Sequence, residues 1–160
     1  MLIGKRLNEA INGQIGREFG ASLQYVSIAT YFDGDALPKL AELFYKQANE
    51  ERDHAMKLVK YVVDAGGQVR IPPVDAPKAD FASAEEAIGL ALKWELDVTQ
   101  QINDLMTIAI EEKDYLGQKF LDWFVEEQLE EVNSMDTLLK VAKRAGEKNI
   151  IMLESYLSHL

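Results

Sequence analysis

Two sets of polar residues repeat along this chain at matching intervals. Glu18 is followed 33 residues later by Glu51 and 36 residues later by His54, and Glu95 is followed at the same two intervals by Gln128 and Glu131. Each set reads as a lone carboxylate on one helix and a polar pair at i, i+3 on the next, a spacing that puts both members on one helix face. Two such halves facing each other would gather four carboxylates, an imidazole and an amide. A pair of transition-metal ions needs that kind of cluster. Carboxylate and imidazole ligands suit iron or manganese, and zinc as well.

Positioning such a cluster takes four long helices, and the chain has the material for them. Prolines are confined to positions 38, 72, 73 and 77, and apolar residues recur near every 3.6 positions before, between and after them. The first predicted helix runs from about Lys5 to Tyr31, with Leu7, Ile11, Ile15, Leu23 and Val26, and ends near the turn signal Asp33-Gly34-Asp35. Pro38 opens the second, which runs to about Ala65 and stops at Gly66-Gly67. Residues 66–82 are aperiodic, too long for a tight turn between neighbours. Ser83 with Glu86 is a capping-box signature for a third helix reaching about Glu112, and a fourth starts near Asp114 and stops at Gly146. Residues 147–159 form a short fifth helix, with Ile150, Ile151, Leu153, Leu157 and Leu160 as its apolar side. The predicted fold is all-α: one domain over 1–160, a four-helix bundle over about 5–145, and a long crossover between helices two and three.

The seams place the polar residues. Helix two reads Leu40, Phe44, Gln47, Glu51, His54, Leu58, Tyr61, and helix four reads Leu121, Phe124, Gln128, Glu131, Met135, Leu138, Ala142. Ile11, Ile15, Glu18, Ser22 and Tyr25 share a face of helix one; Ile88, Leu92, Glu95, Ile102 and Ala109 share one of helix three. Each apolar stripe is interrupted by an acid in its middle third. A buried unpaired carboxylate costs several kcal/mol, on the order of the residual penalty after relaxation, and no seam carries the Lys or Arg that would offset it. Taken singly, each seam Glu is more often a hydrogen-bonded core residue, and acid runs such as Glu126-Glu127 are more often solvated faces. Four helices with matching offsets and matching depth favour metal.

Composition narrows the rest. The chain has no cysteine, which excludes disulfides and thiolate ligands and suits a reducing cytoplasm. A formal charge of −10 argues against nucleic acid or anionic membrane as a partner. No apolar run is long enough to span a bilayer, and residues 1–7, broken by Lys5 and Arg6, do not read as a signal peptide.

The chain resembles ferritin-like di-iron carboxylate proteins, a group with a Glu from each of two helices and a Glu-x-x-His from each of the others. Glu18 and Glu51-Arg-Asp-His54 fit; Gln128-x-x-Glu131 replaces the second Glu-x-x-His. Bacterioferritins usually place a haem-ligating Met just after the first motif's Glu, where this chain has Arg52, so haem is not expected. The stretches REFGASLQY (17–25), NEERDHAM (49–56), KWELDVTQQI (93–102) and DWFVEEQLEEV (122–132) are similar to bacterial non-haem ferritins. That resemblance implies iron storage: Fe(II) oxidised by dioxygen or hydrogen peroxide at an intrasubunit di-iron ferroxidase centre, and Fe(III) mineral kept in a cage of twenty-four subunits. It implies one metal site from Glu18, Glu51 and His54, and another from Glu51, as bridge, with Glu95 and Glu131. Gln128 would hydrogen-bond dioxygen or a ligand water. A third iron site is matched by Glu50, Glu127, Glu130 and Glu131. Tyr25 matches a family tyrosine that can donate one electron; a core aromatic with a satisfied hydroxyl is an equal reading. Trp123 reads as packing, and Glu111, Glu112 and Asp114 as solvated surface more than as an entry pore.

Three rival readings meet the same residues. A di-iron oxidase or peroxidase of the same superfamily is the main alternative, although a rubrerythrin-like enzyme needs cysteines absent here. A DNA-protecting mini-ferritin lacks a fifth helix and holds metal between subunits. A plain structural bundle leaves the seam acids unexplained.

Overall fold

The computed structural model describes residues 1–160. It is all-helical: α1 (Lys5–Gly34), α2 (Pro38–Asp64), α3 (Ala84–Glu111), α4 (Tyr115–Ala145), a 3-10 turn over Glu147–Asn149, and α5 (Ile151–Ser158). No helix is long and apolar enough to cross a membrane. α1 pairs mainly with α2 and α3 with α4, across the short joints that force antiparallel neighbours. Residues 65–83 carry the chain from the end of α2 to the start of α3.

The local signals act as their chemistry requires. Ser83 Oγ accepts from the Glu86 amide at 3.0 Å, while the Glu86 carboxylate accepts from the Ala82 amide at 2.8 Å, one residue further back than the usual reciprocal bond. Asp114 caps α4 by accepting from the Gly117 amide at 2.7 Å. Gly66 ends the α2 turn at φ 79°, a left-handed conformation open to glycine at little cost.

The long crossover is held by amide side chains of α1 that pair with its backbone as a neighbouring strand would. Asn8 Nδ2 donates to Gln68 O and Asn8 Oδ1 accepts from Gln68 N, both at 2.9 Å. Asn12 accepts from Arg70 N at 3.1 Å and also donates to Gln68 O at 2.9 Å. Gln24 pairs both ways with Lys78, at 2.9 and 3.0 Å. The crossover runs so close to α1 that a Cβ on Gly16 would stand 2.5 Å from Pro72 Cγ.

The core is in two halves. One is built from Ala21 through Phe32 on α1, Leu40 through Ala48 on α2, Ala84 through Ala91 on α3, and Met135 through Ala142 on α4. The other takes Leu7 to Ile15, Leu58 and Val62, Val98 to Ala109, and Leu121 with Phe124. Between them lies a polar belt of Glu18, Glu51, His54, Glu95, Gln128 and Glu131, all buried. Each fully buried large apolar side chain in the halves contributes about 1.5–3 kcal/mol. That surplus is what lets the fold carry the belt.

Three details differ from the periodicity. Leu23 and Val26 face solvent at 47% and 40% exposure, since the buried face of α1 runs through Gln24, Tyr25 and Ile28 instead. Tyr61 is half-buried, with Val62 beside it taking the core position. In α5, Ile151 and Leu160 are exposed; Leu153 is buried, and Ile150 and Leu157 pack against the first core half. An acid adds to that docking: Glu154, buried, accepts from the Lys39 and Leu40 amides at 2.7 and 3.1 Å. It thereby satisfies orphan donors in the first turn of α2, where helix geometry favours an anion.

Candidate metal centre

The four bundle helices each send an acid to the same depth. Ligand atoms of Glu18, Glu51 and His54 lie within 4.8 Å of one another, and so do those of Glu51, Glu95 and Glu131. The two groups share Glu51. A third group, His54, Glu127 and Glu131, adjoins them. Glu51 thus stands where one carboxylate could touch two cations.

Hydrogen bonding leaves the middle of this cluster bare. Glu18 Oε2 and Glu51 Oε1 are buried with no donor from any neighbouring side chain or backbone. A proton held between the carboxyls, a water or a cation would satisfy those oxygens. His54 Nδ1 lies 3.2 Å from Glu51 Oε2, and its Nε2 lies 4.0 Å from Glu127. Glu95 is the best supplied: Tyr25 donates its hydroxyl to Oε1 at 2.5 Å, and Gln128 donates to Oε2 at 3.1 Å.

The titration of the cluster follows from burial and like charge. Burial pushes the Glu18 carboxyl up, with a Glu51 hydrogen bond and the His54 charge pulling it partly back. Glu51 is raised well above the usual carboxylate range by burial first, then by the charges of Glu95 and Glu18. Glu131 is raised to about 9, by burial first and then by the charge of Glu95. Burial and the Glu95 charge likewise hold the Tyr25 hydroxyl well above its usual range, so it remains a donor. Divalent cations would displace these protons and neutralise the acids, so the donor set fits them.

Beside Glu131 a cleft of about 310 Å³ opens, lined by Glu50, Glu127, Glu130 and Glu131 together with Lys46 and Gln47. Of the four acids read as a third site, Glu127 and Glu131 join His54 in one ligand group, while Glu50 and Glu130 line the cleft outside it. Trp123 packs edge-on to His54, with ring centroids 5.4 Å apart, and carries the Lys57 ammonium on its face at 3.4 Å. Its contacts are those of a packing residue.

Gln128 has a partner set that spacing alone does not reveal. Its Nε2 reaches the Glu95 carbonyl, the Glu95 carboxylate and Thr99 Oγ1 at 3.1, 3.1 and 3.2 Å. Thr99, Gln14 and Gln47 are site neighbours to which the sequence assigns no role. Gln14 donates to Glu18 Oε1 at 3.1 Å, and Gln47 donates to Glu131 Oε2. Gln47 stands on the α2 seam, one turn before Glu51, and Gln14 one turn before Glu18. A polar residue at i−4 from a seam acid was the available signal.

Comparison with known proteins bears on the family and the fold. A family model described as a ferritin-like domain matches residues 8–145. Ferritin BfrB of Mycolicibacterium smegmatis is 45% identical over 153 residues, covering 96% of this chain and 84% of that protein. The bacterial non-heme ferritin of Staphylococcus aureus is 36% identical over 146 residues, covering 91% and 88%. An open pore ferritin from the archaeon Archaeoglobus fulgidus superposes with a TM-score of 0.94 at 33% identity, over 98% of this chain and 97% of that one.

Proposed function

This chain belongs to the ferritin family of iron-storage proteins, and we propose that it is a ferroxidase that oxidises Fe(II) at an intrasubunit two-iron centre and stores the Fe(III) product. The observation that carries the reading is the pair of ligand groups sharing Glu51, with carboxylate oxygens bare at their junction. Glu18, Glu51 and His54 hold one Fe(II); Glu51, Glu95 and Glu131 hold the other. Loading displaces the proton that burial keeps on Glu131 in the metal-free chain and works against the same upward push on Glu51 and Glu18. Metal affinity therefore rises with pH.

Two Fe(II) give up one electron each to a single oxidant. Two electrons and two protons convert dioxygen to hydrogen peroxide, or hydrogen peroxide to two waters. The chain's task is to keep the ions close and oriented while water supplies or takes up protons. Tyr25 holds Glu95 through its hydroxyl and lies close enough to the cluster to lend an electron. Gln128 has its N–H groups committed to Glu95 and Thr99. Its carbonyl oxygen is left to accept from a ligand water; a hydrogen bond to dioxygen requires one of those N–H groups to let go.

The acidic cleft favours storage over an oxidase acting on an organic substrate. Such an oxidase needs an apolar chamber beside the metals, whereas the cleft beside Glu131 sets four carboxylates, with Lys46, Gln47 and Ser134, against only Leu43, Met135 and Leu138. Glu50, Glu127, Glu130 and Glu131 there bind a third, more weakly held iron and give Fe(III) a way out. The store is the interior of a homo-oligomeric cage of twenty-four subunits in the cytoplasm. With a charge of −10 the chain engages neither nucleic acid nor membrane. No residue here is assigned to haem.

The test is iron loading. Fe(II) added in air to purified protein should co-elute with a particle many times the size of one chain, far beyond two or three irons per subunit. A small oligomer that retains only two irons per subunit would point instead to the oxidase reading.

A further inference from the structure

Each terminal carboxylate of the cluster carries one glutamine amide, and the shared one carries none. Gln14 donates to Glu18, Gln128 to Glu95 and Gln47 to Glu131. Glu51 receives no amide, and its Oε1 has no partner. Gln14 and Gln47 are themselves buried, so neither amide is there for solubility.

The choice of amide is physically apt. A Lys or Arg at the same place would neutralise the carboxylate and compete with the metal for it. A neutral N–H fixes the carboxylate's rotamer and leaves its charge for the cation. The bridging acid needs the opposite treatment, since it must turn to meet two ions. The amide of Gln14 has its orientation set from outside: Arg17 Nη1 donates to Gln14 Oε1 at 3.1 Å. A guanidinium can only donate and a carboxylate can only accept. The Gln14 carbonyl must therefore face Arg17 and its NH₂ face Glu18. Arg17 itself is exposed, so a one-directional chain of donors runs from the surface of α1 to Glu18.

We propose that Gln14, oriented by Arg17, and Gln47 are positioning residues that act on opposite sides of the two-metal cluster. Gln14 governs the ion held by Glu18, Glu51 and His54; Gln47 governs the ion held by Glu51, Glu95 and Glu131. This rests on the two-iron reading above. Outer partners of metal ligands characteristically change affinity by about 10–100-fold, and the geometry makes each effect specific to one position. A structural role in folding would weaken both positions together.

The experiment uses Zn(II) alone as the probe, on crystals of the assembled protein equilibrated at a sub-saturating concentration. Anomalous density gives the occupancy at each position. Gln14→Met should lose occupancy beside Glu18 and His54 and keep it beside Glu95 and Glu131. Gln47→Met should do the reverse, with an affinity loss of about tenfold in each case. Met matches the length of Gln and removes the donor. Arg17→Met, at an exposed position that leaves the core untouched, should lower occupancy on the Glu18 side alone, by less than Gln14→Met. Unchanged occupancies in the variants, or equal losses at both positions, would overturn the proposal while leaving the two-iron reading standing. A parent protein that binds no Zn(II) at either position would overturn both.

Discussion

The Tyr25 hydroxyl donates to Glu95 Oε1 at 2.5 Å, joining a fully buried aromatic on α1 to a fully buried acid on α3. A hydrogen bond to a buried charge is among the stronger ones. Tyr25→Phe keeps the packing against Phe44 and strips Glu95 of one donor. It should lower stability by about 1–3 kcal/mol in chemical denaturation. If Tyr25 also lends an electron, the tyrosyl signal seen by electron paramagnetic resonance after peroxide addition to the Fe(II)-loaded parent should vanish in the variant. A parent with no such signal, or a signal retained in Tyr25→Phe, confines Tyr25 to packing and positioning.

Stability of the metal-free protein should fall as pH rises. Burial and the Glu95 charge push the Glu131 carboxyl up to about 9 in the folded state, against about 4.3 in an unfolded chain. Its contribution is therefore fully present below about pH 4 and is lost as pH climbs through about 9. Glu18 and Glu51, raised in the same direction, act with the same sign. Thermal melts without metal should show a falling melting temperature over about pH 5–9, and Glu131→Gln should flatten the slope. A melting temperature that rises across that window would show that the acids are not crowded together.

Neutralising the shared acid should have opposite consequences with and without metal. Glu51 lacks an amide donor, and Gln at that place can offer its NH₂ to the bare Glu18 Oε2. Glu51→Gln should thus melt higher than the parent in chelator and gain far less on adding Zn(II). Glu95→Gln is a poorer choice: Tyr25 and Gln128 both donate to Glu95, and one would face an NH₂. A Glu51→Gln protein stabilised by Zn(II) as much as the parent would remove Glu51 from the centre.

Removing the cleft acids outside the shared ligand groups should spare the first oxidation. Glu50→Ala combined with Glu130→Ala leaves Glu18, Glu51, His54, Glu95 and Glu131 in place. Rapid oxidation of the first two Fe(II) per chain should persist, with a changed ratio of iron to oxygen and slower later turnover. Parent kinetics throughout would reduce these acids to a solvated helix edge.

The elements and the belt were legible from the sequence because both follow from periodicity. Gln128 and Glu131 lie on the α4 seam, and Glu51 and His54 on that of α2, so a 3.6-residue repeat fixed their depth before any contact was known. The amide partners were less legible. Gln14 bonds to Arg17 and Glu18 on its own helix, at i+3 and i+4, but which way its amide faces depends on rotamers that spacing does not give. Part of the docking of α5 lies outside what periodicity can show. Leu153, Ile150 and Leu157 of its apolar side pack on the core, while Glu154 meets two free amides at the start of α2. That complementarity joins residues 114 and 115 positions apart, and spacing cannot reveal it.

Stopped-flow oxidation of Fe(II) in air, comparing parent with Glu51→Ala, is the most direct test of the shared two-iron centre. Both proteins should have the same helical content and assembly size. The parent should show a fast phase that saturates at two Fe(II) per chain, and Glu51→Ala should show none. A fast phase of equal rate and stoichiometry in Glu51→Ala would mean that the iron is oxidised elsewhere.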